Sequence, residues 1–193
     1  MCIRDRAILS LDAGVESANP IAFHVDGMWR ESNNVEINGA AINSGSSFNT
    51  VDEIANSESK AMAYTLGSSI FLDNGMLGIA VKHQEDEYGI PPSSEQLEEG
   101  ELIVIDAEQT RYDLRANFDL GERWLEQLRA SLSYTDYEHV EVASGEPETQ
   151  WSNETTELRI EAQHAEHNGF HGVVGLQFVD REFSAVGEES YVP

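Results

Sequence analysis

Residues 101–142, ELIVIDAEQTRYDLRANFDLGERWLEQLRASLSYTDYEHVEV, decide the fold. Polar and less polar side chains alternate on both sides of a break at residues 119–122. One face of this stretch is mostly apolar and aromatic and is formed by Thr110, Tyr112, Leu114, Ala116, Phe118, Leu128, Ala130, Leu132 and Tyr134. A period of two over this length is typical of long β-strands, because successive side chains of a strand point to opposite faces. The stretch therefore predicts two antiparallel strands with one apolar and one charged face.

The same alternation recurs on both sides of this pair. Together with the pair, segments 7–15, 21–31, 58–71, 76–87, 154–165 and 170–183 make eight predicted strands. Short turns near 16–20, 72–75, 119–122 and 166–169 alternate with long loops near 32–57, 88–100, 143–153 and from 184 onward. Outer-membrane barrels have short turns at one end and long loops at the other. The sequence therefore predicts an all-β, antiparallel up-and-down meander of about eight long strands, part of a transmembrane β-barrel.

Composition narrows the class of protein. The 193 residues carry a formal net charge of −25, which argues against nucleic acid as a partner. A single cysteine, Cys2, excludes an internal disulfide. No run of about 18 apolar residues is present, so no transmembrane helix is predicted, whereas a transmembrane strand needs only about 9–11 residues. We expect residues 1–6, MCIRDR, to be extraneous, and residues 7–193 to form a partial barrel domain.

Several motifs resemble one family. They are Tyr88-Gly89-Ile90-Pro91, then QTRYDLR at 109–115, SYTDYEH at 133–139, VGLQF at 174–178 and REFSA at 181–185. Together they resemble the barrel domain of TonB-dependent outer-membrane receptors, in the branch associated with zinc and haem-type uptake. The resemblance covers most of residues 21–193, and its motifs belong to barrel strands rather than to a cargo site.

The resemblance implies a barrel of about 22 strands closed around a plug, of which eight strands are roughly a third. On this resemblance we expect the plug domain and the C-terminal strands of such a receptor to be absent from residues 7–193. The implied location is the bacterial outer membrane. The implied partners are outer-membrane lipid, the plug and remaining strands of the receptor, TonB through the missing parts, and a metal or metal complex such as a siderophore, haem or zinc as cargo.

Four residues near the predicted loop end are candidate metal ligands: His83, Glu85, Glu87 and His139. Imidazole and carboxylate groups are common metal ligands, although neither His83 nor His139 belongs to a motif of the His-x-x-x-His type. The family branch often has a histidine-rich loop after the Tyr-Gly-Ile-Pro motif, but residues 92–101 contain no histidine. Carboxylates alone favour harder cations, so zinc is less favoured as cargo.

Other side chains have expected roles in a barrel wall. Cross-strand pairs of opposite charge are expected in the lumen from Arg111, Arg115, Arg129, Arg159, Asp113, Glu157 and Glu161. Candidate girdle residues at the lipid boundary are Trp29, Tyr64, Tyr112, Tyr134, Tyr137 and Phe178. An entry funnel for cationic cargo would use Glu95, Glu98, Glu99 and Glu101, whereas His164, His167 and His171 lie near the opposite end.

The expected function is a section of a TonB-dependent receptor that takes up a metal or metal complex. Two alternatives remain open: a complete eight-stranded small barrel with a structural or adhesive role, and a soluble acidic β-sandwich binding module. The small barrel requires the first strand to pair with the eighth. No nucleophile elbow, P-loop or Cys/His site is present, so the sequence predicts neither an enzyme nor a bound cofactor.

Overall fold

The computed structural model describes residues 4–40, 51–121 and 124–187. The fold is all-β, as predicted. Its strands are β1 Arg4–Val15, β2 Ile21–Ser32, β3 Val35–Ala40, β4 Val51–Ile54, β5 Ser59–Leu72, β6 Gly75–Ile90, β7 Ile103–Asp119, β8 Gln127–Ala143, β9 Glu146–His167 and β10 Phe170–Gly187. The short helix α1, Ser94–Glu99, lies between β6 and β7.

Eight strands form one sheet in the order β1-β2-β5-β6-β7-β8-β9-β10, and each neighbouring pair is antiparallel. This confirms the up-and-down meander. β3 and β4 pair separately as a hairpin. Within the described ranges β1 pairs only with β2 and β10 only with β9, and no second layer packs on the large sheet. The sheet is therefore open, without the closure that the small-barrel alternative requires or the two layers of a sandwich.

The two faces of the sheet differ in burial. The buried strand residues Ala61, Ala63, Ile105, Ala107 and Ser133 all lie on the polar face. On the opposite face large apolar side chains, such as Leu9, Phe23 and Phe178, remain exposed on every strand of the sheet except β9, where Leu158 and Ile160 are half-buried. Side chains crowd together on the concave side of a curved sheet and spread apart on the convex side. The burial pattern indicates curvature toward the polar face.

The structure corrects several predicted boundaries. β1 begins at Arg4 rather than residue 7, so residues 4–6 belong to the strand, while residues 1–3 lie outside the described part. The long loop predicted at 143–153 is wrong, because β9 already begins at Glu146. Ser144 and Gly145, with φ of 52° and 86°, connect β8 directly to β9. Loops and turns therefore do not alternate strictly.

The other connections also differ in detail. The predicted turn at 119–122 is longer, since β8 begins only at Gln127. The predicted loop at 88–100 contains the helix α1. Ser93 and Gln96 form a capping box at its N-terminus, and Gly100, with a φ of 77°, caps its C-terminus. No helix among the described residues has the length and apolar character needed to cross a membrane.

Candidate functional site

One face of the large sheet carries a continuous apolar band. We use this name for the apolar residues that fill that face on all eight strands, from Trp29 on β2 to Phe178 on β10. On β5 the band runs from Met62 to Ile70, and on β9 from Leu158 to Ala162. The opposite face of the same strands carries most of the polar and charged residues, together with apolar ones such as Ala61, Ile105 and Val179. The band is a property of the whole sheet and of no single element.

The loop-side boundary of the band crosses the sheet obliquely. Trp29 is the last apolar residue on β2, and direct pairing leads from it through Met62 to Glu85 on β6. On β10 the boundary residue is Phe178, and the row of paired residues that contains it leads back to Phe23 on β2. Trp29 and Phe23 are six residues apart, so the boundary moves about one residue per strand over the six steps from β2 to β10.

Aromatic residues mark this boundary. Trp29, Tyr64, Tyr112, Tyr134 and Phe178 lie on the apolar face where the band ends or close to its end. The rings of Tyr112 and Tyr134 are 6.4 Å apart. The sixth predicted girdle residue, Tyr137, lies on the polar face. Immediately beyond the aromatic residues the same face becomes acidic and exposed, with Glu85, Glu108, Asp136, Glu138, Glu154, Asp180 and Glu182.

The four candidate metal ligands do not come together. His83 Nε2 lies 3.1 Å from Glu85 Oε1, and His83 Nδ1 lies 2.9 Å from Thr110 Oγ1. Glu87 instead pairs with Lys60, with Nζ 3.5 Å from Oε1. His139 lies on the opposite face, because its row contains Asp86 and not Glu85 or Glu87. Across the described residues no group of three or more His, Cys, Asp or Glu is arranged to hold a metal ion.

His139 belongs instead to a row of aromatic rings on the polar face. The ring centroids are 5.6 Å apart for Tyr137 and His139, 5.7 Å for His139 and Trp151, and 5.8 Å for Trp151 and Phe183. His139 and Trp151 are direct cross-strand partners with nearly parallel rings, 16° apart. The Nδ1 atom of His139 and the Nε1 atom of Trp151 are buried and form no hydrogen bond with the residues that the structure describes. This row, Tyr137–His139–Trp151–Phe183, is called the aromatic row below.

Burial changes the acidity of two members of the aromatic row, which lies on the loop side of the apolar band. Burial lowers the pKa of His139, and the nearby Glu141 carboxylate opposes this effect. Burial also raises the pKa of Tyr137, with a further contribution from Tyr88 and Asp86. At neutral pH the row therefore presents uncharged rings, suited to contact with a planar or apolar part of a ligand.

The expected charge ladder on the polar face forms mostly along strands. Arg111 Nε donates to Asp113 Oδ2 at 3.0 Å, and Arg159 Nε donates to Glu161 Oε1 at 3.1 Å. In each pair the two residues are two positions apart on one strand, where side chains share a face. Glu157 accepts a hydrogen bond from Gln177 on the neighbouring strand. The predicted cross-strand arrangement is present for Arg129 and Glu161, which are direct partners between β8 and β9, whereas the ion pairs of Arg111 and Arg159 run along their own strands.

One cluster on the polar face was not predicted. His24 lies between two carboxylates, with Nδ1 2.6 Å from Asp12 Oδ1 on β1 and Nε2 2.9 Å from Asp26 Oδ2 on β2. The alternation of β2 places His24 and Asp26 on one face and indicates half of this arrangement. The contribution of Asp12 depends on the register between β1 and β2, which the sequence does not specify.

The acidic residues of the predicted entry funnel and the histidines near the turn end do not form a common site among the described residues. Glu95 and Glu99 are exposed on α1, whereas the side chain of Glu98 lies outside the described part, and Glu101 is half-buried. Of the histidines at the turn end, His164 donates through Nδ1 to the carbonyl oxygen of Ala165 at 3.0 Å. His167 and His171 are exposed near the β9–β10 turn.

No protein-family model matches the chain.

Proposed function

We propose that this chain is a section of the wall of an outer-membrane β-barrel receptor of the TonB-dependent type, which takes up a metal or metal complex. The oblique apolar band is the observation that carries the proposal. The band would face lipid, and the polar face, with its ion pairs and the aromatic row, would face the interior of the barrel. This section would supply wall and loops, while transport would require the rest of the receptor.

The slope of the band supports a tilted barrel wall. Barrel strands tilt by about 35–45° from the barrel axis, so a membrane of uniform thickness crosses each strand at a different level. With strands about 4.8 Å apart and tilted by about 40°, the level shifts by about 4 Å, a little over one residue, per strand. The observed six residues in six steps agree with this estimate. A soluble sheet has no reason to place its apolar residues along such a slope.

The chemistry of the boundary supports the same orientation. Aromatic side chains form girdles at the interfaces of membrane barrels, and charged residues follow outside the hydrocarbon. Here Tyr112 and Tyr134 lie at the boundary, and Tyr134 Oη donates to Glu154 just beyond it at 2.7 Å. The ring of Tyr134 thus lies at the end of the apolar band with its hydroxyl directed toward the polar side, as a residue at a lipid–water interface requires.

Spin-label accessibility in lipid vesicles tests the placement in a membrane. Tyr64 and Asp136 belong to one row of paired residues, through His83 and Thr110. In a Cys2→Ser background, a nitroxide at position 64 should be accessible to oxygen, which partitions into lipid. A nitroxide at position 136 should be accessible to a water-soluble nickel chelate. Water accessibility at both positions would contradict the proposal.

The cargo has a separate test at the aromatic row. The chain has three tryptophans, so a variant with Trp29 and Trp124 replaced by phenylalanine reports on Trp151 alone. We expect an iron siderophore or haem to quench Trp151 emission at micromolar concentration, and zinc ions to have a weaker effect. Replacing Phe183 by alanine should weaken the quenching. If none of these compounds changes the emission, the cargo does not contact the aromatic row.

A further inference from the structure

The β3–β4 hairpin is attached to the large sheet by its ends. Among the described residues, β3 and β4 contact each other and no other strand. Their connection to the sheet is through the short segments that precede β3 and follow β4. Since no other described strand packs against β3 or β4, these segments hold the hairpin to the part of the sheet that the structure describes.

Asn34 fixes the first of these attachments. Its Oδ1 atom accepts hydrogen bonds from the backbone N–H groups of Ser57 at 2.8 Å and Glu58 at 3.2 Å. The Ser57 hydroxyl oxygen accepts from the backbone N–H of Val35 at 2.8 Å. These bonds close the base of the hairpin, because they join the residue before β3 to the residues that lead into β5.

Asn56 joins this base to a different loop. Its side-chain Nδ2 donates to the carbonyl oxygens of Ile90 at 2.8 Å and Ile103 at 2.6 Å. Ile90 and Ile103 are the last directly paired residues of β6 and β7, and the segment 91–102 that contains α1 lies between them. Both N–H groups of the one amide are therefore used at the neck of the α1 loop.

The fit around Asn56 is tight. Asn56 is buried, with 5% of its surface exposed, and has a φ of 53°, a conformation that asparagine tolerates better than most residues. The neighbouring Gly89 donates its N–H to the carbonyl oxygen of Glu58 at 3.1 Å. A Cβ atom on Gly89 would lie 2.5 Å from both oxygens of Asn56. Only glycine at position 89 leaves room for this arrangement.

We propose that Asn56 is a clamp that couples the base of the β3–β4 hairpin to the α1 loop, so that a loss of order at one lowers the order of the other. A ligand that orders one loop would then order the other. The role of this coupling in cargo capture rests on the proposed function. The coupling itself follows from the contacts of Asn34, Asn56 and Gly89 and holds whether or not the sheet lies in a membrane.

Hydrogen exchange in a double-mutant cycle tests the coupling. The variants are Asn34→Ala, Asn56→Ala and both together, studied as the full chain in detergent micelles. The readouts are the α1-loop amides of Leu97 and Glu101, which donate to Ser93 and Gln96. Asn34→Ala removes the hydrogen bonds to Ser57 and Glu58 at the hairpin base. We expect it to speed exchange at these distant amides about fivefold when Asn56 is present, and by less than twofold in the Asn56→Ala background.

The controls separate coupling from general unfolding. Amides in the centre of β7 and β8 should exchange at the same rate in all variants. If Asn56→Ala also exposes these strands, Asn56→Asp replaces it in the cycle, since aspartate keeps the shape but lacks the N–H donors. An equal effect of Asn34→Ala in both backgrounds, or no effect in either, would overturn the proposal. The spin-label result at positions 64 and 136 does not depend on this outcome.

Discussion

At the scale of single residues, different structural constraints require glycine at positions 75 and 169. Asn168 and Gly169 form the β9–β10 turn with φ of 54° and 80°, as the Asn-Gly sequence predicts. The Asn74-Gly75 pair is different, because Gly75 already pairs with Leu72 inside the sheet. A Cβ atom there would lie 2.3 Å from the carbonyl oxygen of Asn117. Close approach of the neighbouring strand, not a positive φ, explains this glycine.

Gly75→Ala should therefore destabilise the sheet by about 2 kcal/mol, because the β7 backbone must move to admit the methyl group. Gly175→Ala is the matched control. Its Cβ would meet the nearest atom at an ordinary 3.6 Å, so its effect should stay within about 0.5 kcal/mol. Urea unfolding in micelles, followed by circular dichroism, measures both. Equal losses for the two variants would contradict the steric explanation.

His139 should make stability depend on pH. Burial holds its folded pKa below the ordinary value of about 6.5, so the unfolded chain binds the proton more readily. Its contribution to stability is thus complete above about pH 6.5 and decreases as the pH falls toward the lowered pKa. His139→Phe keeps a ring against Trp151 but cannot titrate. The difference in unfolding free energy between wild type and variant should change between pH 7.5 and 5, and a constant difference would contradict the prediction.

The metal candidates show how far residue-level reasoning extends. The sequence placed His83 and His139 near the loop end, and both are there. Their faces also follow from the sequence, since His83 continues the alternation of Val81 and His139 that of Arg129. The predicted metal site considered only the positions of these residues along the strands. It therefore combined His83 and His139, which lie on opposite faces of the sheet. The metal-binding role of His83, Glu85, Glu87 and His139 stays a prediction.

At the scale of elements, strands were predicted well inside the apolar band and poorly beyond it. Lipid or a core requires apolar side chains on one face, which produces the period of two. Beyond the band apolar and polar residues no longer separate by face, and residues 146–153 of β9 show no such period. Pro147 also suggested a loop, but it lies beside a register shift near the strand end, where its missing N–H does little harm.

The aromatic row should contribute strongly to the stability of β8, β9 and β10, because it joins all three. Trp151→Ala removes contacts with His139 and Phe183 and should cost about 3 kcal/mol. Trp124, 72% exposed, is the matched control, and Trp124→Ala should cost less than about 0.5 kcal/mol. Urea unfolding monitored by circular dichroism compares them. Similar costs would mean that the aromatic row adds little to the packing.

At the scale of the whole molecule, strand order and orientation were predictable because each strand pairs with its neighbour in the chain, apart from the inserted hairpin. The contacts of Asn56 were not. They join residues 34 and 47 positions apart, and no local pattern in the sequence marks them. The slope of the apolar band was also hidden, since it appears only when the registers of all eight strands are known.

The slope leads to a prediction that distinguishes a band oblique to the rows of paired residues from a band parallel to them. Leu66 lies midway between Met62 and Ile70 in the band on β5, whereas Leu158 lies at the loop-side boundary of the band on β9. The row of paired residues that contains Leu158 is nevertheless further from the loop end than the row that contains Leu66. In a bilayer, arginine costs about 2–4 kcal/mol at the midplane and about 0–1 kcal/mol near the interface. Leu66→Arg should therefore destabilise the protein in lipid vesicles far more than Leu158→Arg, in urea titrations of the inserted chain. Negligible costs for both variants would indicate that the band does not face lipid. A larger cost for Leu158→Arg would indicate that the membrane boundary runs parallel to the rows of paired residues, so that the strands are not tilted.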